Sequence, residues 1–404
     1  MAELHLLSPA GFRAAGVYAG IKTKHAPDVG LLLCDTPATA AAVFTTNKVF
    51  AAPVKVGRAH VADGKLRGVV VNAGNANACT GKQGERDALR MCELAATIAK
   101  CRKTDILPSS TGIIGHLLPM KKLERGIIEA SQYLGSSLEH AHLFAAAILT
   151  TDLKRKAAAT SFKIGRQTVT LAGVCKGSGM IGPRMKLMPP HATMLAYLTT
   201  DAAIGAPLLR KLLASASDGS FNAVTVDDHT STNDTACLLA SGASGAKVSS
   251  PKDAKTFAAA LDEVCRSLAY QIAADGEGAT KVVAVTVRRA KTEPAARAMA
   301  RAIADSPLVK CAMHGNDPNW GRIVSAAGYA GVPFDPDKSV LTLQKTVVFR
   351  AGRPVPFDAN IVSESMHAPE VRVDLDCRAG SGEATVWTCD LSKEYITINA
   401  DYHT

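Results

Sequence analysis

Residues 191–202 read HATMLAYLTTDA. A Gly- and Pro-rich run, KGSGMIGPRMKLMPP at 176–190, leads into Ala192, Thr193 and then an apolar segment. The junction has two readings. In the first, Thr193 is an N-cap where a loop enters a helix or strand, its hydroxyl accepting from free backbone amides. In the second, the Ala192–Thr193 bond is made to break. Thr193 Oγ1 attacks the Ala192 carbonyl, and water cleaves the resulting ester to leave chains 1–192 and 193–404. Thr193 then gains an α-amine with a pKa of about 8. That amine can serve as general base for its own hydroxyl, so no histidine or carboxylate partner is required. The sequence contains no triad motif, which suits such a nucleophile.

Around this junction, β-branched runs with alternating character and Gly, Pro or Asp borders predict strands at 30–34, 40–46, 67–73, 281–289, 339–349, 370–377 and 383–392. Helical periodicity appears at 84–101, where Ala88, Met91, Cys92, Ala95 and Ile98 share a face, and again at 253–275 and 293–306. The mixture predicts an α/β or α+β protein of layered sheets and helices. The main catalytic domain is expected over 1–282, with a smaller C-terminal domain over 283–404.

Composition narrows the function. With 47% apolar and 20% charged residues, the 404-residue chain can bury a substantial core. The N-terminus MAELHLLSPAGF lacks a basic start followed by an apolar run, and no stretch approaches the roughly 18 apolar residues of a membrane span. A cytoplasmic protein with no membrane contact is expected. The ten cysteines form no CxxC pair and sit mostly in apolar contexts such as Cys34 and Cys237, which predicts reduced, buried thiols and no zinc site. The net charge of +10 is scattered, and aromatics are only 5% of residues, so nucleic-acid binding is not expected. Attraction of acidic metabolites is the milder reading of that charge.

Several motifs invite chemistry. SSTGIIG at 109–115 reads as a tight polar turn in which Thr111 and Gly112 can aim a hydroxyl and backbone N–H groups at one point, as an oxyanion hole requires. VNAGNANACTG at 71–81 follows a strand and suits a loop lining a site, though no phosphate-binding spacing follows. FNAVTVDDHTSTNDT at 221–235 gathers Asp227, Asp228, His229 and Asp234; a metal site is conceivable there, but hydrogen-bonded turns fit better. DGEGATK at 275–281 sets Glu277 between glycines at a helix-to-strand junction, where it can cap a turn or bind an ammonium. HGNDPNWGRI at 314–323, with Trp320 and Arg322, reads as a loop anchor or subunit contact.

Taken in order, AAVFTTNKVFAAPV (41–54), NAGNANACTG (72–81), SSTGIIG, TTD (150–152), KGSGMI (176–181), ATMLAYLTTDA (192–202), TVD and TSTNDT (225–227 and 230–235), DGEGATK, DPNWGRI (317–323) and the terminal NADYHT (399–404) resemble the ornithine acetyltransferases, or glutamate N-acetyltransferases, of arginine biosynthesis. The resemblance covers nearly the whole chain. It implies cleavage between Ala192 and Thr193, with Thr193 as nucleophile and Thr111 and Gly112 as oxyanion hole. Thr150, Lys176, Thr193, Glu277, Asn399 and Thr404 match substrate-contacting positions. The implied reaction is ping-pong: N2-acetylornithine acetylates Thr193, ornithine leaves, and L-glutamate takes the acetyl group. It requires no cofactor and no metal. The implied fold is a layered αββα assembly like that of N-terminal-nucleophile aminopeptidases with a smaller C-terminal α/β domain, and the cleaved chains are expected to pair as two alpha and two beta chains. The sequence departs from the pattern in a longer 182–191 segment, with Arg184 where Asn is usual, and in DDHT after the TVD. Three alternatives remain open: a bifunctional enzyme that also uses acetyl-CoA, a self-processing amidase or aminopeptidase, and an uncleaved binding protein.

Overall fold

The computed structural model describes residues 3–185 and 194–401. Ala192, Thr193 and Thr404 therefore lie outside the described residues. The chain divides into two units, Met1–Asn222 with His229–Leu268, and Ala223–Asp228 with Ala269–His403.

The first unit runs β1 (Phe12–Val17), β2 (Val29–Phe44), α1 (Ala52–His60), β3 (Lys65–Asn75), α2 (Gly81–Ala99), β4 (Ile106–Ile113), α3 (Met120–Gln132), α4 (Leu138–Ala147), β5 (Lys156–Ile164), β6 (Gln167–Lys176), β7 (Leu195–Thr200), α5 (Ala206–Asp218), β8 (Thr235–Ala240) and α6 (Pro251–Ala274). The strands form one mixed ladder in the order β4-β3-β2-β8-β7-β6-β5, with β1 also on β2. The long strand β2 joins the segments expected separately at 30–34 and 40–46. Its register shifts between Leu33 and Ala38, where the exposed residues Asp35–Pro37 leave the ladder. Successive side chains of β2 go to opposite faces. Leu31 and Leu33 join Val70, Ile106 and the buried faces of α2 and α3. Leu32 and Cys34 join a second core that draws on β3 and β4 and equally on β6, β7 and β8. Strands from both sides of β2 in the ladder contribute to that core. Both faces are apolar because both are covered, each fully buried Leu or Val contributing about 1.5–3 kcal/mol.

The second unit contains β9 (Val282–Ala290), α7 (Glu293–Asp305), α8 (Pro307–His314), α9 (Trp320–Gly328), β10 (Val340–Leu343), β11 (Thr346–Arg350), β12 (Arg353–Pro354), α10 (Ala359–Ser365), β13 (Glu370–Asp376), β14 (Gly382–Cys389) and α11 (Lys393–Asp401). Its sheet is ordered β12-β11-β10-β13-β9-β14, with β9 and β13 parallel. Alternate residues Val283, Val285 and Val287 pack on Met299, Ala300 and Ile303 of α7. The single strand expected at 339–349 is a hairpin, because Gln344 turns the chain at φ 56°. HGNDPNWGRI is not a plain loop: Asn319 caps α9 by accepting from the Arg322 amide, and Trp320 stacks on Phe349 at 5.6 Å between ring centroids.

All ten cysteines are free, and seven of them are buried, as their mostly apolar contexts predict; Cys101 is half-buried, and Cys79 and Cys311 are exposed. Among the described residues no helix is long and apolar enough to cross a membrane.

Candidate active site

The segment SSTGIIG is not a turn but the end of β4, paired in parallel with β3. Asn75 of β3 faces both Thr111 and Ile113, so the ladder is irregular where the two strands end. Gly112 sits at φ 129°, and a Cβ there would lie 2.3 Å from the Gly74 carbonyl carbon and 2.6 Å from the Asn75 nitrogen. Backbone meets backbone at that point, and only glycine fits.

Asparagines hold this strand end. Asn233 Nδ2 donates to the carbonyls of Ala76 (2.6 Å) and Ser110 (2.8 Å). Ser110 Oγ donates to Asn72 Oδ1 at 2.6 Å, and Asn72 Nδ2 donates to the Asn75 carbonyl at 2.9 Å. The loop after β3 uses left-handed backbone at Asn77 and Cys79, as the Asn- and Gly-rich sequence predicts.

Lys176, the last residue of β6, is buried and reaches back to the same point: Nζ donates to Thr111 Oγ1 at 3.2 Å. Asp152 anchors the surroundings. Its carboxylate has no solvent exposure and accepts from Lys156 Nζ at 2.7 Å and from the Gly177 amide at 2.7 Å. It also accepts from the Thr150 amide at 3.1 Å. Burial works to raise this carboxyl, but the Lys176 and Lys156 ammoniums, with the hydrogen bonds from Lys156 and Gly177, outweigh it and hold it at about 2. One carboxylate therefore ties together Thr150 and the residue after Lys176. Lys22 belongs to the same electrostatic neighbourhood. Burial lowers its ammonium to about 8, against the opposing pull of Asp28 and Asp152. Its Nζ donates to the Pro27 carbonyl at 2.6 Å.

The first unit thus brings together Thr111, Gly112, Thr150 and Lys176 from distant parts of the sequence. Asp152 and Lys22 were not picked out by sequence reasoning; the Asp in TTD was the one visible signal for the first, and Lys22 had none.

In the second unit, Glu277 and Asn399 meet. Asn399 Nδ2 donates to Glu277 Oε2 at 2.9 Å, and Glu277 is 8% exposed. The turn is where DGEGATK predicts it, between α6 and β9. Gly278 has φ 69°, and a Cβ there would lie 2.5 Å from the Tyr395 nitrogen, so the first turn of α11 seats directly on it. Tyr395 Oη donates to Asp227 Oδ2 at 3.3 Å, and burial, followed by the charges of Asp227 and Glu277, pushes the phenol upward.

A buried cation on a hydroxyl, beside a glycine-shaped strand end, favours negative charge growing on an oxygen, the demand that acyl transfer makes of a site. Comparison with known proteins narrows the class. The chain belongs to the ArgJ family of arginine biosynthesis, whose family model matches residues 13–404. An arginine biosynthesis bifunctional protein ArgJ from Symbiobacterium thermophilum is 47% identical over 401 residues, covering 98% of each chain. Its counterpart from Geobacillus kaustophilus is 42% identical over 407 residues, covering 100% of this chain and 97% of its own. Among solved structures, the ornithine acetyltransferase of Mycobacterium tuberculosis, complexed with ornithine, is 37% identical. It aligns with 45% of this chain and 95% of its own, at a TM-score of 0.41.

Proposed function

We propose that this chain is a glutamate N-acetyltransferase that moves an acetyl group from N2-acetylornithine to L-glutamate through an acetyl ester on Thr193. The observation that carries the reading is family membership across residues 13–404. The contact of Lys176 with Thr111 at 3.2 Å supports it chemically.

The chemistry proceeds in balanced steps. Thr193 Oγ1 attacks the Ala192 carbonyl, the C–N bond breaks, and water hydrolyses the ester to release the 1–192 chain with a carboxyl end. The new α-amine takes the Thr193 hydroxyl proton as the oxygen attacks the acetyl carbonyl of N2-acetylornithine. Thr111 and Gly112 receive the oxyanion of the tetrahedral intermediate, with Lys176 supporting Thr111. Ornithine leaves with the proton. The glutamate amine then attacks the ester, giving N-acetylglutamate and the free Thr193 hydroxyl. Thr150, Glu277, Asn399 and Thr404 contact substrate, Glu277 as partner of an ammonium. No cofactor or metal takes part. The cleaved chains assemble as two alpha and two beta chains in the cytoplasm.

A second reading is favoured by the description of the relatives as bifunctional: acetyl-CoA also donates acetyl to Thr193. N-acetylglutamate formed from acetyl-CoA alone supports that addition, and its absence removes it.

Denaturing electrophoresis tests the main proposal. Wild type should give fragments of 192 and 212 residues, the 404-residue chain split after Ala192. Thr193→Ala should give one band and no acetyl transfer. Two fragments from Thr193→Ala would overturn it.

A further inference from the structure

Lys22 carries a charge that no carboxylate touches. Its Nζ donates to the Pro27 carbonyl at 2.6 Å and, in the last turn of α4, to the Ala146 carbonyl at 3.3 Å. Two of the three ammonium hydrogens are engaged, and among the described residues the third meets no acceptor. The two carboxylates that act on it are taken. Asp28 is wholly buried and accepts from the amides of Ala19 (2.7 Å), Ile21 (2.6 Å) and Lys22 itself (3.0 Å). Asp152 accepts from Lys156, Gly177 and Thr150.

The charges of this neighbourhood do not balance. Lys22, Lys156 and Lys176 set three ammoniums against the carboxylates of Asp28 and Asp152. Burial pushes a third carboxyl, Asp234, toward its neutral form. From α3, Lys122 donates to the Gly20 carbonyl at 2.7 Å and Arg125 to the Ala19 carbonyl at 3.1 Å, adding further positive charge. Lys24 and His25, on the same loop as Lys22, are exposed.

That surplus lies against the strand end already described. A Cβ on Gly74 would lie 3.2 Å from the Lys22 nitrogen, and a Cβ on Gly112 would lie 2.3 Å from the Gly74 carbonyl carbon. The Asp28 carbonyl accepts from the Ala73 amide at 2.9 Å, which fastens the Lys22 loop to β3. The Lys22 ammonium also feels that of Lys176, which holds Thr111.

The reaction supplies an anion for such a place. N2-acetylornithine gives up its acetyl group from the α-nitrogen, and glutamate accepts it on its own α-nitrogen. Their side chains carry opposite charges, so the anion common to both is the α-carboxylate, one carbon from the reacting nitrogen. We propose that Lys22 is a substrate-binding residue whose third ammonium hydrogen donates to the α-carboxylate of donor and acceptor in turn. The proposal rests on the acetyltransferase reading given above. Burial lowers the Lys22 ammonium to about 8, and a carboxylate in contact favours its charged form.

The test compares N2-acetylornithine with its α-carboxamide, which keeps the shape and removes the charge. The ratio of kcat/KM for the acid to that for the carboxamide cancels every group that acts only on the acetyl transfer. In wild type this ratio should be high near neutral pH and fall as pH rises through about 8, where Lys22 loses its proton. In Lys22→Met the ratio near neutral pH should drop about tenfold or more, the loss of a charge-assisted hydrogen bond, and no longer change with pH. KM for glutamate should rise about tenfold or more in the same variant. A residue that only staples its loop to α4 would lower both donors alike and leave the ratio where it was. If Lys22→Met does not fold, the wild-type ratio decides. A ratio flat from about pH 7 to 10, an unchanged ratio in Lys22→Met, or a loss confined to one of the two substrates overturns this proposal alone. Wild type that moves no acetyl group from N2-acetylornithine to glutamate overturns the acetyltransferase reading and this proposal with it.

Discussion

Asp152→Asn is the sharpest test of how the site is held. The substitution keeps the side chain's shape and removes one charge that faces two buried ammoniums. Lys156 is 1% exposed and 2.7 Å away, and Lys176 acts on the same carboxylate. Holding a carboxyl at about 2 against an ordinary 3.8 is worth about 2 kcal/mol, at about 1.4 kcal/mol per pH unit. Because the folded-state pKa is depressed, that stability is present above the ordinary value and is lost as pH falls through about 2. The substitution costs more than this at neutral pH. It removes the carboxylate that accepts from the buried Lys156 ammonium at 2.7 Å, and breaking a buried pair costs about 3–5 kcal/mol. For a unit of this size each kcal/mol is about 2–4 °C in melting temperature, so a loss on the order of 10 °C is expected by calorimetry. The gap to wild type should hold at neutral pH and narrow between about pH 4 and pH 2, where the unfolded chain binds a proton at this carboxyl before the folded one does. Adding Lys156→Met should recover part of the loss, since an apolar pair replaces a broken ionic one. A melting temperature within about 2 °C of wild type, with no pH dependence of the difference, would refute the assignment of Asp152 as the charge anchor.

Two further substitutions probe the groups on either side of the chemistry. Gly112→Ala forces a Cβ to 2.3 Å from the Gly74 carbonyl carbon, so β4 must move away from β3; kcat should fall about 100-fold or more, as for a lost oxyanion donor, and an activity within threefold of wild type would remove Gly112 from that role. Glu277→Gln can still accept from Asn399 but offers no charge to an ammonium, and KM for N2-acetylornithine should rise about tenfold or more, the loss of one charge-assisted hydrogen bond; an unchanged KM would argue that Glu277 only fastens α11.

Local periodicity made some elements readable and left others hidden. The helix expected at 84–101 is Gly81–Ala99, with Ala88, Met91, Cys92 and Ala95 buried and Ile98 half-buried, because a 3.6-residue apolar repeat is a local signal. The strands at β9 and β13 were legible for the same reason, their valines alternating. The β5–β6 hairpin was not. Its first strand, KAAATSFKI, is rich in alanine and lysine, poor strand formers, and it is held by pairing with β6 rather than by preference. The end of β4 looked like a turn because Ser, Thr and Gly dominate it, and what makes it a strand is the parallel partner β3.

The site divides along the same line. Motif order singled out Thr111, Gly112, Lys176 and Glu277 as candidates, but the contacts these residues make are non-local. Lys176 meets Thr111 across 65 residues, and Asn233 reaches Ser110 across 123. Polarity in a sequence is usually read as exposure, and TSTNDT shows why that inference fails here. Ser231, Thr232, Asn233, Asp234 and Thr235 are all buried. Asn233 and Thr235 answer their burial with backbone partners, which accounts for amide and hydroxyl side chains at those positions. Asp234 is wholly buried among them, and burial drives its carboxyl well above the ordinary carboxylate range, an environment made by strands far apart in the chain that no local pattern discloses.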